Sequence, residues 1–354
     1  MTPVIDFTSA GYDTDKVIGQ GQFGSVFLLR RSGSNKDLFV CKLVLLDALC
    51  ESDRNLAEQE VELLRSLDHR NIVKFHDCVS TVSGSAMGLI MQYCDGGDLR
   101  HVIREQAVGG RYFPESVIMT WLTQVASGLR YIHSKKIIHR DLKTSNIFLK
   151  GPPPFECLIG DFGISRVLES TLGTAHTVIG TPYYLSPEVC KKEPYSFESD
   201  MWSLGACLYE MAMLRTAFQS SNLLTLVNKI IYEEFEPIDP LGFSFNFRFL
   251  VSNLLEKDPQ KRPSASQVLR HEYVIRYYSE DNTCMTPLAV SLPPRAPTLR
   301  LKRPPSRSIG SCGVSPEKLD GRPPEQSSIA RGLLPGKLED QSSISKPVPP
   351  PRIR

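Results

Sequence analysis

The run of residues after three closely spaced glycines limits this chain more than any other feature. Residues 17 to 29 read VIGQGQFGSVFLL, with glycines at 19, 21 and 24. A G-x-G-x-x-G that opens a helix builds a dinucleotide-binding fold. Here Ser25-Val26-Phe27-Leu28-Leu29 comes next, and such a β-branched, apolar run favours a strand. No Gly-Lys-Ser/Thr is present, so a nucleotide P-loop is excluded. Strand, glycine turn, strand is a hairpin whose amides can approach phosphates, because glycine puts no Cβ in the way. An ordinary hairpin turn explains this motif alone equally well.

The next run, DLFVCKLVLL, alternates as a strand. Val40, Lys42 and Val44 share one face, and Phe39, Cys41 and Leu43 share the other. Lys42 is thus a cation in a strand that is apolar on both sides, and such a lysine needs a partner. The helical pattern SDRNLAEQEVELLRSLDH supplies a candidate. Glu60 falls on the stripe of Leu56, Leu63, Leu64 and Leu67. Each charge accounts for the other's misplacement, although a glutamate at the stripe's edge can also reach water.

An apolar strand, GLIMQY, then breaks at Asp95-Gly96-Gly97, a connector able to separate two lobes. A long helix is predicted over ESVIMTWLTQVASGLRYIHSKK, with Ile118, Trp121, Leu122, Val125, Leu129 and Ile132 inward. It leads into IIHRDLKTSNIFL, where two apolar runs bracket Arg140, Asp141, Lys143 and Asn146. A solvated loop or a site for something charged would fit this island. Further on, FECLIGDFG places Asp161 just past a buried strand. With Asn146 it can offer two oxygen ligands to a hard cation.

Taken together, the order and spacing of these pieces resemble the eukaryotic protein kinases. The resemblance spans residues 12 to 275. It rests on the Gly19/Gly21/Gly24 flap, Lys42, Glu60, His139-Arg140-Asp141, Asn146, Asp161-Phe162-Gly163 and Ser186-Pro187-Glu188. IGDFGISRVL and IGTPYYLSPEVC are most similar to the NIMA-related (Nek) serine/threonine kinases. The resemblance implies an α+β, bilobal fold: a small β-rich lobe with one main helix (12–91), a hinge (92–95) and a larger helical lobe (96–275). Residues 1–11 would be an extension and 276–354 a tail.

It also implies roles. Asp141 would accept or orient the proton of a substrate hydroxyl, and Lys143 would reach the transferring phosphate. Asn146 and Asp161 would bind Mg²⁺, and Lys42, held by Glu60, would hold the α- and β-phosphates of ATP. The nucleotide would lie against Ile18, Gly19, Gln20, Gly21, Gln22, Phe23, Gly24, Ser25, Val26 and Val40. Met91 would be the gatekeeper, with hinge contacts from Gln92 to Cys94. Lys143 and Thr181 fit serine/threonine rather than tyrosine specificity, and Ile164 favours threonine. Thr144 stands where the family often has proline. Glu188 would pair with Arg262, and Asp200 would brace the catalytic loop.

The same resemblance predicts control by phosphorylation. Arg140 would pair with a phosphate on the segment from Asp161 to Glu188, whose hydroxyls include Ser165, Ser170, Thr171, Thr174, Thr177, Thr181 and Ser186. Thr177 matches the Nek phosphosite by position. An upstream kinase, or autophosphorylation in trans, would supply the phosphate.

Composition bounds the rest. Across 354 residues, 41 basic and 39 acidic side chains nearly balance, and no run is apolar enough to span a bilayer. Neither nucleic acid nor membrane is an expected partner. The balance is uneven, since residues 281–354 hold 12 basic against 6 acidic residues and 14 of the 26 prolines. That segment is expected to be disordered, and it has no heptads. Within it, PVPPPR fits an SH3-type ligand, and RLKRPPSR a nuclear address or phosphosite; a solvated linker explains both. Nine cysteines without C-x-x-C spacing or a secretory signal favour free thiols in a reducing compartment. A cytoplasmic location is expected, with nuclear, cytoskeletal or centrosomal association implied by the resemblance. The rival functional class is a scaffold that keeps the fold without the chemistry. Against it stand the intact glycines, Lys42, Glu60, Asp141, Asn146 and Asp161.

Overall fold

Alternating apolar residues in the first 92 positions give antiparallel strands, and the strands assemble in the order β1-β2-β3-β5-β4. The structure is a computed structural model and describes residues 5–21, 24–34, 36–46, 51–81, 83–161, 182–239 and 242–278. The strands are β1 (Tyr12–Gly21), β2 (Gly24–Arg31), β3 (Leu38–Leu45), β4 (Phe75–Ser80) and β5 (Ala86–Gln92). The residues after the glycines are indeed a strand. Gly21 pairs with Gly24 and Val26 with Lys42, so the glycine segment is a hairpin lying over the next strand.

Each face of this sheet has its own core. Phe39, Cys41 and Leu43 project to one side, where Tyr12, Leu29 and Ile90 meet them and Ile5 and Phe7 cover them. The segment before β1 is therefore part of the packing. Val44 lies on the other side, with Val61 and Leu64 of α1 (Glu51–Arg65), and joins the main core. The expected alternation of β3 is what separates the two clusters.

Beyond the connector, Gly97–Asp98 forms a short strand β6, and Asp98 then caps α2 (Leu99–Val108) by accepting from the His101 amide at 2.9 Å. Helix α3 (Glu115–Ser134) matches the predicted long helix, and all six of its expected inward residues are buried. Two short strands come next, β7 (Ile147–Lys150) and β8 (Glu156–Ile159). The first is the apolar run that follows the polar island 139–146, the second is the apolar run that precedes Asp161, and they pair with each other. Their pairing brings Asn146, just before β7, close to Asp161, just after β8.

The remaining helices are α4 (Pro187–Cys190), α5 (Phe197–Met213), α6 (Leu223–Tyr232), α7 (Phe245–Leu254), α8 (Ala265–Arg270) and α9 (Glu272–Ile275). Helix α5 is buried from Ser199 to Ala212. A helix apolar on all sides belongs at the centre of a lobe, and α5 packs against α3 and α7. It carries two carboxylates into that interior, Asp200 and Glu210. Both act on the site.

Candidate active site

Asp200 organises the catalytic segment from below. It is fully buried, and its oxygens accept the backbone amides of His139 (2.9 Å) and Arg140 (3.0 Å), His133 Nε2 (2.8 Å) and the Tyr195 hydroxyl (3.1 Å). Arg140 sits at φ 66°, a left-handed conformation costly for a side chain with a Cβ. Anchoring the amides on both sides of that turn holds the strained conformation in place.

His139 is buried and carries the brace upward. Its Nδ1 accepts the Asp141 amide at 3.3 Å, and its Nε2 lies 3.1 Å from the Gly160 carbonyl. An acceptor at Nδ1 and a donor at Nε2 define a neutral imidazole. Burial agrees, pushing its pKa below the usual histidine value. Gly160 must be glycine here, because a Cβ would stand 2.8 Å from the Phe148 ring and 2.9 Å from Val73.

Above this frame lie the charged groups. Lys143 Nζ donates to Asp141 Oδ2 at 2.7 Å, and Asn146 Nδ2 donates to the same oxygen at 3.0 Å and to the Asp141 carbonyl at 2.8 Å. Lys42 Nζ meets Asp161 Oδ1 at 2.8 Å, across 119 residues of sequence. Asp161 has φ 55°, a second strained residue at the same place. Beside this ion pair is a cavity of about 20 Å³, lined in part by Val73, Met91 and Gly160. Val40 pairs with Met91 across the sheet, and Ile18 is an exposed apolar side chain beside the glycines.

Among the described residues the partner of Lys42 is Asp161. Glu60 lies on α1, but its side chain falls outside what is described, as does that of Gln20, and of Gly21 and Gly24 only the backbone is described. Gln22, Phe23, Thr177, Thr181, Ile164 and the rest of 162–181 lie wholly outside them. Ser186 is described, and it is a poor phosphate acceptor: it is buried and precedes α4. Gln92 donates its amide to the Lys74 carbonyl at 2.8 Å, so a hinge contact from this residue would use its carbonyl oxygen.

The residue at the family's proline position also has an explanation. Thr144 Oγ1 donates to Glu210 Oε2 at 2.9 Å and lies 2.9 Å from the Tyr184 hydroxyl, which also donates to Glu210 Oε2, at 2.5 Å. Two hydroxyl protons cannot fill three edges of this ring. A proton on Glu210 would complete it, and burial pushes that carboxyl's pKa up. The ring ties the catalytic segment to the turn Pro182–Tyr184, which closes the activation segment. A sequence signal existed: Glu210 is a lone acid in the apolar run of α5. Thr144→Val removes two of the three edges at nearly constant volume and leaves the Tyr184–Glu210 bond. It is expected to cost about 1–3 kcal/mol, seen as a lower midpoint in denaturant unfolding with an unchanged slope.

Comparison with known proteins agrees with this geometry. Residues 12–274 match the protein kinase domain family. The chain belongs to that family. The kinase domain is 41% identical over 263 residues to the human serine/threonine-protein kinase Nek5, covering 74% of this chain and 36% of Nek5. It is 39% identical over 270 residues to mouse Nek4 (76% and 33% covered) and 38% over 259 residues to mouse Nek1 (73% and 21%). The resemblance to the Nek kinases therefore holds. The chain spans roughly a third or less of the length of these relatives. Asn146 and Asp161 carry side-chain oxygens of the kind a hard cation takes. Among the described residues no cluster of three or more His, Cys, Asp or Glu makes a metal cage. Two protein oxygens, with the remainder from phosphate and water, suit Mg²⁺.

Proposed function

We propose that this kinase domain transfers the γ-phosphate of ATP to serine or threonine hydroxyls of proteins. The observation that carries the reading is the convergence of Lys42, Asp161, Asp141, Lys143 and Asn146 at one place, braced from a single buried carboxylate. Phosphoryl transfer asks the protein for in-line positioning and charge neutralisation rather than covalent chemistry. Mg²⁺, held by Asn146 and Asp161, would supply charge neutralisation on the phosphate oxygens. Each protein charge already has a counter-charge in the site: Lys42 faces Asp161 and Lys143 faces Asp141. A triphosphate brings negative charge that competes for both lysines, so Lys42 turns to the α- and β-phosphates and Lys143 to the transferring group. Asp141 keeps one oxygen on Asn146, and its other oxygen is left to receive the substrate hydroxyl's proton.

The adenine would lie between Ile18, Val26, Val40 and Met91, with Gly19, Gln20, Gly21, Gln22, Phe23, Gly24 and Ser25 over the phosphates. Base contacts would fall to the backbone from Gln92 to Cys94, with the Gln92 amide itself held by the Lys74 carbonyl. Glu60, on α1, would steady Lys42 once that lysine leaves Asp161. Protein substrates and a cytoplasmic site of action complete the proposal, with centrosomal or nuclear association following the Nek relatives. The tail's PVPPPR would serve as an SH3 ligand.

Activation would follow phosphorylation of Thr177, paired by Arg140, with Thr181 in the same segment contributing to Ser/Thr selection. Thr177→Ala is expected to lower turnover at least about tenfold, the scale of a one-to-two-kcal/mol coupling, without changing the unfolding midpoint. Equal turnover by the two proteins would reject the assignment. The kinase reading as a whole is tested with labelled ATP and casein, comparing wild type with Lys42→Met, which is expected to be inactive.

A further inference from the structure

Charge is unevenly matched in a groove between α2 and the end of α5. The groove encloses about 550 Å³ and is lined by Arg100, Arg104, Tyr183, Glu210, Arg215 and Ser221, among others. Arg100 and Arg104 are four residues apart, so α2 presents them on one face. Arg100 is half-buried and Arg104 exposed. Among the described residues neither guanidinium has an ion-pair partner. Arg215 is different, since its Nη2 is paired with Glu236 at 2.6 Å.

Among the described residues Glu210 is the one acid lining the groove, and it is already engaged. Its Oε2 takes the hydroxyls of Thr144 and Tyr184. Burial also favours its neutral form, although Arg100 and Arg104 oppose this. Two guanidiniums therefore face the groove with little to balance them. An arginine or lysine entering there would meet like charge; a carboxylate or phosphate would meet charge-assisted donors.

The groove also adjoins the chemistry. Glu210 forms part of its wall and at the same time bonds Thr144, three residues after Asp141. Tyr183, another wall residue, neighbours the Tyr184 that closes the same ring. An extended peptide advances about 3.3 Å per residue. A substrate with its hydroxyl at Asp141 therefore reaches the groove within a few residues.

We propose that this groove receives an acidic side chain, a carboxylate or a phosphate, a few residues from the phosphoacceptor, with Arg100 and Arg104 as the specificity-determining residues. The inference rests on the kinase reading and names the substrate class of that same site.

A positional peptide array tests it. Each position around a central threonine is replaced in turn by Ala, Asp, phosphoserine or Arg, and kcat/KM is measured with the full chain. At one position Asp or phosphoserine is expected to exceed Ala by about fivefold, the worth of one part-exposed charge-assisted hydrogen bond. Arg at that position is expected to fall below Ala. A greater gain with phosphoserine than with Asp would identify a primed substrate; equal gains would identify an acidic one. Arg100→Gln combined with Arg104→Gln should abolish the preference, mainly through KM, and leave turnover of the Ala peptide within about twofold, since that peptide brings no charge for them to meet and neither side chain is buried. Arg100→Glu with Arg104→Glu should shift the preference towards Arg. The proposal is overturned if no position separates Asp from Ala, if the preference is for Arg in wild type, or if an acidic preference survives both double variants. Failure to phosphorylate any peptide would instead remove the kinase reading, and this proposal with it.

Discussion

Asp141→Asn is expected to lower kcat for phosphoryl transfer by about a thousandfold, within the range for loss of a positioned proton acceptor. The geometry explains why folding should survive. Asp141 Oδ2 takes two donors, Lys143 Nζ and Asn146 Nδ2. An asparagine can turn its carbonyl oxygen to the same donors, because its NH₂ would otherwise face two hydrogen-bond donors. The frame below is untouched, since the Asp141 amide still reaches His139 Nδ1. What disappears is the second carboxylate oxygen, the one able to take a proton. Wild type and variant are compared with labelled ATP on an activated preparation, alongside thermal unfolding. Equal turnover, or none from the activated wild type, would support the scaffold reading over the enzyme.

The second large effect is structural. Arg262→Ala is expected to destabilise the domain by about 3–5 kcal/mol, the cost of stranding one partner of a buried ion pair. Both side chains are almost fully out of water. The guanidinium meets Glu188 at both oxygens, at 2.6 and 2.7 Å, and donates further to the carbonyls of Glu198, Lys257 and Glu256. Removing it leaves Glu188 with the Ser199 hydroxyl at 2.7 Å and no cation. A domain of this size should lose roughly 6–20 °C in Tm, at about 2–4 °C per kcal/mol. The double change Glu188→Leu with Arg262→Met should be less damaging than Arg262→Ala alone, because it strands no charge. An Arg262→Ala midpoint within about 2 °C of wild type would reject this account.

The same pair sets a pH dependence. Burial pushes the Glu188 carboxyl up, but the hydrogen bonds and charge of Arg262 more than offset it, and the net pKa is lowered from 4.5. The unfolded state then binds more protons below about pH 4.5. The stabilisation is present above that value and is lost as pH falls through the lower folded pKa. Without Arg262, burial is opposed only by the Ser199 hydroxyl and a backbone hydrogen bond, so the loss of stability on acidification should shrink in the variant. Urea unfolding of wild type and Arg262→Ala between pH 4 and 7 measures the difference.

The thiols show how a local expectation gains a reason from packing. The described cysteines are free, and burial pushes Cys41 and Cys94 up to about 12 and Cys78 and Cys190 up to about 11. At neutral pH they are inert core groups. Their spacing alone showed only that no paired ligand motif exists.

Much of the fold was legible because period and punctuation are local properties. Alternation in β3 assigned its two faces correctly, and the strand after Gly24 removed the dinucleotide fold. The six-residue apolar stripe of α3 is the buried stripe of the structure. The identity and order of Lys42, Asp141, Asn146 and Asp161 were likewise visible in the chain, because phosphoryl transfer needs those chemical types and the spacing between them is fixed by the elements they terminate. Partnership was decided only in three dimensions. Asp161 became the counter-ion of Lys42, Asp200 the acceptor for the catalytic turn, and Glu210 the wall shared by that turn and the arginine groove. A side chain's charge is written in its residue type. Its partner depends on which distant segment the core packing delivers within hydrogen-bond distance, and periodicity along the chain carries no information about that.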